Sequence, residues 1–396
     1  WLSSKRLENK KWIFIASCVV TDKAKKKWIK FVNDTSLELK QEEKIYISGC
    51  WAFKDGRAQS DFFDLYPELN SIKNKIEILW EDPENRPHLT SPKGRGIIRK
   101  NIIPSNLYTK KFVLIQGWCD SFCTFCLTVI KRWRHFYRPK EEIVDEINSF
   151  VESWWKEVVL TWVNLGAWWL ETTNDVWNTK LPELLNYILD NTKIQRLRIS
   201  SLWPEFINDE VLEVFKKSRI YPHFHFSVQS WSSNILKSMS RHYDGEYIKN
   251  VLTKCKNIKR EDNIDISIWA DIIVGFPWEA EKDFLDTYQL VKEIQIQKLH
   301  AFPFSPHEMW ESVPAWKFKD QVDEKTKSSR MKKLKSLWDE IRQKFIDSQK
   351  WKELRVLIEA QKNWTRKWRT QNYIEANNEN FEIISWEIKR NEIVVW

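Results

Sequence analysis

The chain has 396 residues, with 64 Lys and Arg against 55 Asp and Glu for a net charge of +9. That length gives two or three domains and an ample core, and no run approaches the roughly 18 consecutive apolar residues of a membrane span. Collagen and disulfide-rich scaffolds are excluded as well, yet the composition is abnormal: 25 Trp stand against 8 Gly, where ordinary usage of about 7% Gly would give roughly 28.

The simplest account is that many of these Trp stand where the working protein has Gly. The tandem pairs Trp154-Trp155 and Trp168-Trp169 fall where a chain leaves a helix or a strand, and such turns need Gly. The first residues, Trp1 to Arg6, lack the apolar run of a signal peptide, so the expectation is a soluble, cytoplasmic protein with no membrane partner. The basic excess is compatible with a polyanionic partner without requiring one. Six cysteines in such a chain point to metal or redox chemistry more than to disulfides.

Along the chain, residues 1–92 begin with two short apolar strands, Trp12 to Ser17 and Lys44 to Gly49, each followed by a cysteine (Cys18, Cys50), with a Lys-rich helical stretch between them. This reads as part of a small α/β domain. Residues 93–110 are basic and rich in breakers, as in a linker. Strands are then predicted at Lys111 to Gln116, Glu157 to Val163, Gln195 to Ser200, His223 to Val228, Asp265 to Val274 and Lys298 to Phe304. Helices alternate with them at Arg138 to Ser153, Leu181 to Asn191, Asp209 to Lys217, Ser233 to Met239, Gly245 to Asn257 and Ala280 to Glu293. Six βα units predict an α/β fold with a parallel barrel or partial barrel over 105–318, with its chemistry at the carboxyl ends of the strands. Residues 319–349 read as a helical connector, with Leu334, Leu337, Ile341, Phe345 and Ile346 at helical spacing. The last stretch, 350–396, alternates as short strands (Leu354 to Ala360, Thr370 to Ala376, Phe381 to Ile388, Ile393 to Val395), the pattern of a small antiparallel β-barrel.

Directly after the first strand of the middle region comes Gln116-Gly117-Trp118-Cys119-Asp120-Ser121-Phe122-Cys123-Thr124-Phe125-Cys126. Three thiolates in a C-x3-C-x2-C loop suit an iron-sulfur cube in which the protein holds three irons and leaves one open for a ligand. A structural zinc site is the alternative; it wants a fourth ligand, and His135 is the only candidate nearby in sequence.

Cys119, Cys123 and Cys126 in this position resemble the radical S-adenosylmethionine enzymes. The surrounding segments narrow the resemblance to the methylthiotransferases: Arg138-Pro139, Thr161-Trp162-Val163-Asn164, Arg198-Ile199-Ser200-Ser201, Ser227-Val228-Gln229-Ser230-Trp231-Ser232, Asp271-Ile272-Ile273-Val274-Gly275-Phe276-Pro277-Trp278-Glu279 and Phe302-Pro303-Phe304-Ser305-Pro306. In that family's pattern the positions of Trp118, Trp133, Trp162, Trp231, Trp269, Trp278 and Trp310 are glycines. The composition anomaly thereby becomes an expectation: UGA codons meaning Gly have been read as Trp.

The resemblance implies a partial (βα)6 radical S-adenosylmethionine barrel, a truncated amino-terminal domain and a carboxy-terminal TRAM module that contacts RNA. It implies two 4Fe-4S clusters, one on Cys119, Cys123 and Cys126, where S-adenosylmethionine binds and is cleaved to a 5'-deoxyadenosyl radical. The other lies on Cys18, Cys50 and a third cysteine expected upstream of residue 1, as for a truncated start; it carries the methylated sulfur that replaces an unreactive C-H hydrogen. Asn164, Ser201, Gln229 and Gly275, at strand ends, are the expected lining of the S-adenosylmethionine pocket, with a capping or loop hydrogen bond as the alternative role for each. Lys362, Arg366, Lys367 and Arg369 are candidate phosphate contacts, while Trp364 and Trp368 read as turn glycines and not as base-stacking platforms. Cys255 reads as structural.

The expected partners are tRNA, at adenosine 37 of the anticodon loop, and an electron donor such as flavodoxin or ferredoxin. Three substrate classes occur in the family: threonylcarbamoyladenosine, prenylated adenosine and a ribosomal-protein aspartate. The segments Pro222 to Ser227, Ile268 to Ile273 and His300 to Pro306 look most like the threonylcarbamoyladenosine branch. A non-catalytic RNA-binding protein that has lost one cluster is the competing class.

Overall fold

The structure is a computed structural model that describes residues 3–6, 12–17, 22–39, 43–49, 53–54, 57–58, 61–78, 109–117, 119–127, 136–161, 163–172, 175–306, 313–350, 352–362, 365–377 and 393–395. The chain divides into two compact units. The smaller takes 1–104, 122–134 and 305–317; the larger takes 105–121, 135–304 and 318–396.

The smaller unit is built on a four-stranded sheet with the order β1 (Ser3–Arg6), β2 (Trp12–Ser17), β3 (Lys44–Gly49), β4 (Ile76–Ile78). β1 runs antiparallel to β2, while β2, β3 and β4 are parallel. The Lys-rich stretch forms helix α1 (Asp22–Leu37), whose Trp28 is fully buried among Ile45, Ile47, Phe62, Tyr66 and Leu69. Its ring meets Tyr66 edge-on at 5.5 Å, a geometry worth about 1 kcal/mol beyond its burial. Neither β1 nor β4 is legible in the sequence pattern: one has four residues and the other three.

The larger unit carries the predicted βα alternation in two parallel sheets. The first has the order β7 (Arg196–Ile199), β6 (Glu157–Thr161), β5 (Lys111–Leu114). The second has the order β8 (Ser201–Leu202), β9 (His223–Gln229), β10 (Ser267–Val274), β11 (Lys298–Pro303). The unpredicted β8 follows directly after the strand predicted over Gln195 to Ser200, which is β7. Between the two lies Ser200, whose N–H donates to Leu160 O at 3.0 Å and ends the first sheet.

Helices α3 (Lys140–Glu152), α4 (Leu181–Asn191), α5 (Asp209–Val214), α6 (Ser233–Ser238), α7 (Gly245–Lys256) and α8 (Glu281–Ile294) follow the strands in turn, after the four-residue α2 (Phe62–Leu65) of the smaller unit. Their starts are written in the sequence. Asn208, Ser232 and Asp244 each accept a backbone N–H three residues on, satisfying donors that a helix end otherwise orphans. Between strands and helices, Phe224, Phe226, Ile268, Ala270 and Ile272 join Leu236, Ile248, Leu252 and Phe284 in one core.

Several Trp sit in left-handed backbone. Trp154 has φ 65° and Trp169 and Trp278 have φ 63° and 68°, a region that costs an L-residue roughly 1–2 kcal/mol. Trp154 closes α3: its N–H donates to Val151 O and the Trp155 N–H to Phe150 O, the helix-ending pattern in which Gly normally takes the left-handed position. Trp168 behaves differently, being buried with its indole N–H donating to Arg138 O at 3.0 Å.

Beyond the sheets, residues 324–349 form one helix, α9 (Glu324–Gln349), capped by Asp323 accepting from Thr326 N. A four-stranded antiparallel sheet follows, with the order β14 (Glu375–Asn377), β13 (Thr365–Thr370), β12 (Arg355–Lys362), β15 (Ile393–Val395). Val356, Ile358, Trp368 and Ile374 form its core with Phe345 and Ile346 of α9. Two expectations are corrected. Thr370 to Ala376 is not one strand, because Thr370 Oγ1 accepts from Ile374 N, Asn372 is tied to Thr370 and Tyr373 turns to φ 67°. Trp368 is not in a turn but inside β13, buried in that core. The strand expected over 381–388 and Trp364 lie outside the described residues.

Candidate active site

After β5 the chain makes a short antiparallel pairing, Gln116–Gly117 with Phe136–Tyr137, which brackets the three-cysteine loop. The unit boundary falls inside that loop: Cys119 belongs to the larger unit and Cys123 and Cys126 to the smaller. Cys119 is buried and its Sγ donates to Ser121 Oγ at 3.3 Å; the next residue, Asp120, accepts from Thr172 Oγ1 at 2.8 Å. In the smaller unit, the Cys126 N–H donates to Cys123 O at 3.0 Å, a tight turn, and Thr124 O accepts from the Ala315 N–H. Cys123 is buried, Cys126 is half-buried, and all three residues are thiols and not disulfides. A loop fixed on both sides by backbone bonds, carrying three thiols, has the donor chemistry of an iron-sulfur site.

Of the four strand-end residues predicted from sequence, Asn164 follows β6, Gln229 ends β9 and Gly275 follows β10, whereas Ser201 opens β8 opposite His225. The Asn164 backbone N–H donates to Gln116 Oε1 at 3.3 Å. Its side-chain amide is fully buried, and neither Nδ2 nor Oδ1 has a hydrogen-bond partner among the described residues. An amide in that condition costs on the order of 1–3 kcal/mol, and a bound polar ligand removes the penalty. Gln229 ends β9 in left-handed backbone, φ 72°, and is buried.

Gly275 follows β10 with φ 71°, and a Cβ there would come within 2.3 Å of the Lys327 side chain. Its N–H donates to Glu279 Oε2 at 2.6 Å, and Arg330 Nη1 reaches the same oxygen at 2.8 Å. Burial pushes the Glu279 carboxyl up to about 7 against the pull of the Gly275 N–H and Arg330. Nearby in sequence to Ser201, Glu205 is also pushed up to about 7 by burial, with Arg241 opposing.

Ser201 belongs to a group the sequence reading did not assemble. Its Oγ lies 3.1 Å from His225 Nδ1, and His225 Nε2 lies 2.8 Å from Asp271 Oδ1. His300 Nδ1 lies 3.3 Å from that same oxygen, and Ser227 Oγ donates to Asp271 Oδ2 at 3.3 Å. Burial opposes ionisation of Asp271, but the charge and hydrogen bonds of His225 and His300 hold its carboxyl well below the usual range. These residues alternate with the core-facing ones along β9, β10 and β11, so they share the sheet face opposite the helices. The only signal in the sequence was that alternation, which does not say which strands are neighbours.

Other predicted residues divide. Cys18 and Cys50 lie outside the described residues, but the parallel strands that precede them end in register, Ser17 opposite Gly49. Arg369 donates to Glu375 Oε1 at 2.7 Å and stacks over Tyr373, so its charge is already engaged within the unit. Lys362, Arg366 and Lys367 are strand residues of β12 and β13 whose side chains lie outside the described set. Cys255 is fully buried in the main core, and burial pushes its thiol far up, which leaves it inert.

The chain is similar to several known proteins. The profile of the Radical SAM superfamily matches residues 113–291. The threonylcarbamoyladenosine tRNA methylthiotransferase MtaB of Thermotoga maritima is 30% identical over 354 residues, covering 89% of this chain and 79% of that protein. The tRNA-2-methylthio-N(6)-dimethylallyladenosine synthase of Wolbachia pipientis subsp. Culex pipiens is 28% identical over 360 residues, covering 88% of this chain and 80% of that protein. Among solved structures, the radical S-adenosylmethionine methyltransferase TsrM of Kitasatospora setae is similar over 49% of this chain and 36% of its own, with 14% identity and a TM-score of 0.40.

Proposed function

This chain belongs to the radical S-adenosylmethionine tRNA methylthiotransferases, and from that membership we propose that it methylthiolates C2 of N6-threonylcarbamoyladenosine at position 37 of tRNA. The observation that carries the reading is the match over most of the chain to a relative of that name, together with a loop of three thiols behind the first parallel strand.

Cys119, Cys123 and Cys126 hold one 4Fe-4S cluster and leave one iron for S-adenosylmethionine. When bound, that pair supplies the radical that removes an unreactive hydrogen. Asn164 presents its buried amide to the S-adenosylmethionine, Ser201 and Gln229 line the same pocket, and the left-handed turn at Gly275 lets backbone approach it. Gly275 is positioned in turn by Glu279 and Arg330. The two parallel sheets form one partial (βα)6 barrel that excludes water from the radical chemistry. Cys18 and Cys50 would contribute two thiolates to a second 4Fe-4S cluster, which would supply the sulfur. The carboxy-terminal sheet is a TRAM module, and Lys362, Arg366 and Lys367 meet tRNA phosphates.

The choice of nucleoside rests on the segments around His223, Asp271 and His300, and on their chemistry. Lys298, His300, His225 and Asp271 line one sheet face, a polar surface that suits a threonylcarbamoyl group better than a prenyl chain. A dimethylallyladenosine substrate is the second reading, favoured by the name of the Wolbachia relative. Trp118, Trp133, Trp162, Trp231, Trp269, Trp278 and Trp310 are read as Gly in the native protein; the left-handed backbone at Trp278 supports this.

Anaerobic reconstitution of the Gly-restored protein with iron and sulfide tests the cofactor assignment: about eight irons per chain support two clusters, and zero iron contradicts the enzyme. Mass spectrometry of the native protein tests the Trp reading, and finding Trp at position 231 or 278 contradicts it.

A further inference from the structure

We propose that His225, Asp271 and His300 form a binding site for one divalent cation of the zinc or ferrous type, held by two imidazole nitrogens and one carboxylate oxygen. His225 Nε2, Asp271 Oδ1 and His300 Nδ1 all lie within 4.8 Å of one another. The two shorter separations are 2.8 and 3.3 Å. Ligands about 2.0–2.1 Å from a tetrahedral zinc are about 3.3 Å apart, so an ion enters once the 2.8 Å pair opens and the two imidazole nitrogens, within 4.8 Å of each other, draw together.

The frame that holds the three ligands is rigid. They come from three adjacent parallel strands, with Asp271 directly opposite His300 in the β10–β11 register and His225 opposite Trp269 in the β9–β10 register. Outer partners are already in place. Ser201 Oγ contacts the second ring nitrogen of His225, and Ser227 Oγ donates to the second oxygen of Asp271. Such partners fix the tautomer and rotation of a metal-binding ring. Two imidazoles and one carboxylate occupy one face of an ion and leave further positions open. An oxygen-bearing ligand or water completes the shell. The cation would be separate from the three-cysteine loop, which offers only sulfur.

The test uses the full chain with its clusters assembled, equilibrated with zinc chloride and then dialysed against metal-free buffer. The expected result is one zinc per chain by elemental analysis, with X-ray absorption placing nitrogen and oxygen neighbours at about 2.0–2.1 Å. The double variant His225→Gln, His300→Gln loses at least tenfold in zinc affinity with iron per chain unchanged. Asp271→Asn, which keeps the side-chain shape, gives the same loss and serves if the double variant does not fold. No retained zinc, zinc surrounded by sulfur at about 2.3 Å, or equal retention by the variants overturns the proposal and leaves the cluster as a hydrogen-bonded group without an ion.

Discussion

The two faces of the β9–β10–β11 sheet use the same strands for opposite ends. Toward the helices, Phe224, Phe226, Ile268, Ala270 and Ile272 are buried in the main core. On the other face stand His223, His225, Asp271, Lys298 and His300, and at the strand ends Gln229 and Gly275 take left-handed backbone. The period of two separates a face that stabilises the fold from a face that carries polar and strained groups. Substitutions on the first should therefore act on stability, and substitutions on the second on binding.

The largest effect is expected from Phe226→Ala on the helix side, a loss of about 3–5 kcal/mol in chemical unfolding; a loss below about 1 kcal/mol would remove the distinction between the faces. Next comes Glu205, whose carboxyl burial pushes up to about 7 from 4.5. Because the folded state binds the extra proton, stability is fully present below about pH 4.5 and declines as pH rises through about 7, by up to about 3 kcal/mol. Unfolding of Glu205→Gln should lack that slope.

Asn164→Ala sharpens the comparison from the functional side. Removing a buried amide with neither atom partnered should leave the ligand-free chain unchanged or about 1 kcal/mol more stable. The same change should weaken S-adenosylmethionine binding at least tenfold, measured by calorimetry; intact binding would remove Asn164 from the pocket. The smallest effect concerns an exposed indole, Trp154, set against a packed one, Trp28, whose loss should match that of Phe226→Ala. Trp154→Gly, at a left-handed helix end and 82% exposed, should raise stability by about 1 kcal/mol. Trp28→Gly, in the amino-terminal core, should lower it by about 3–5 kcal/mol.

Much of the fold was legible because the βα alternation is long and its helix starts carry Asn208, Ser232, Asp244 and Asp323. The three-cysteine loop was legible because its ligands are neighbours in sequence. What the sequence pattern did not reveal depends on register: His225, Asp271 and His300 meet only because three strands pair as they do. The break at Ser200 and the turn at Tyr373 arise from tertiary hydrogen bonds with no local cue. The Trp positions were legible as a group and not one by one. Trp154 and Trp278 fit left-handed sites, while Trp28, Trp168 and Trp368 are packed side chains.

The most direct test of the account is nucleoside mass analysis of tRNA incubated with the cluster-loaded protein, S-adenosylmethionine and a reductant. The expected product is the methylthio derivative of N6-threonylcarbamoyladenosine at position 37, with prenylated adenosine unchanged. A methylthio product on prenylated adenosine instead, or no methylthio product from a protein with full iron loading, would contradict it.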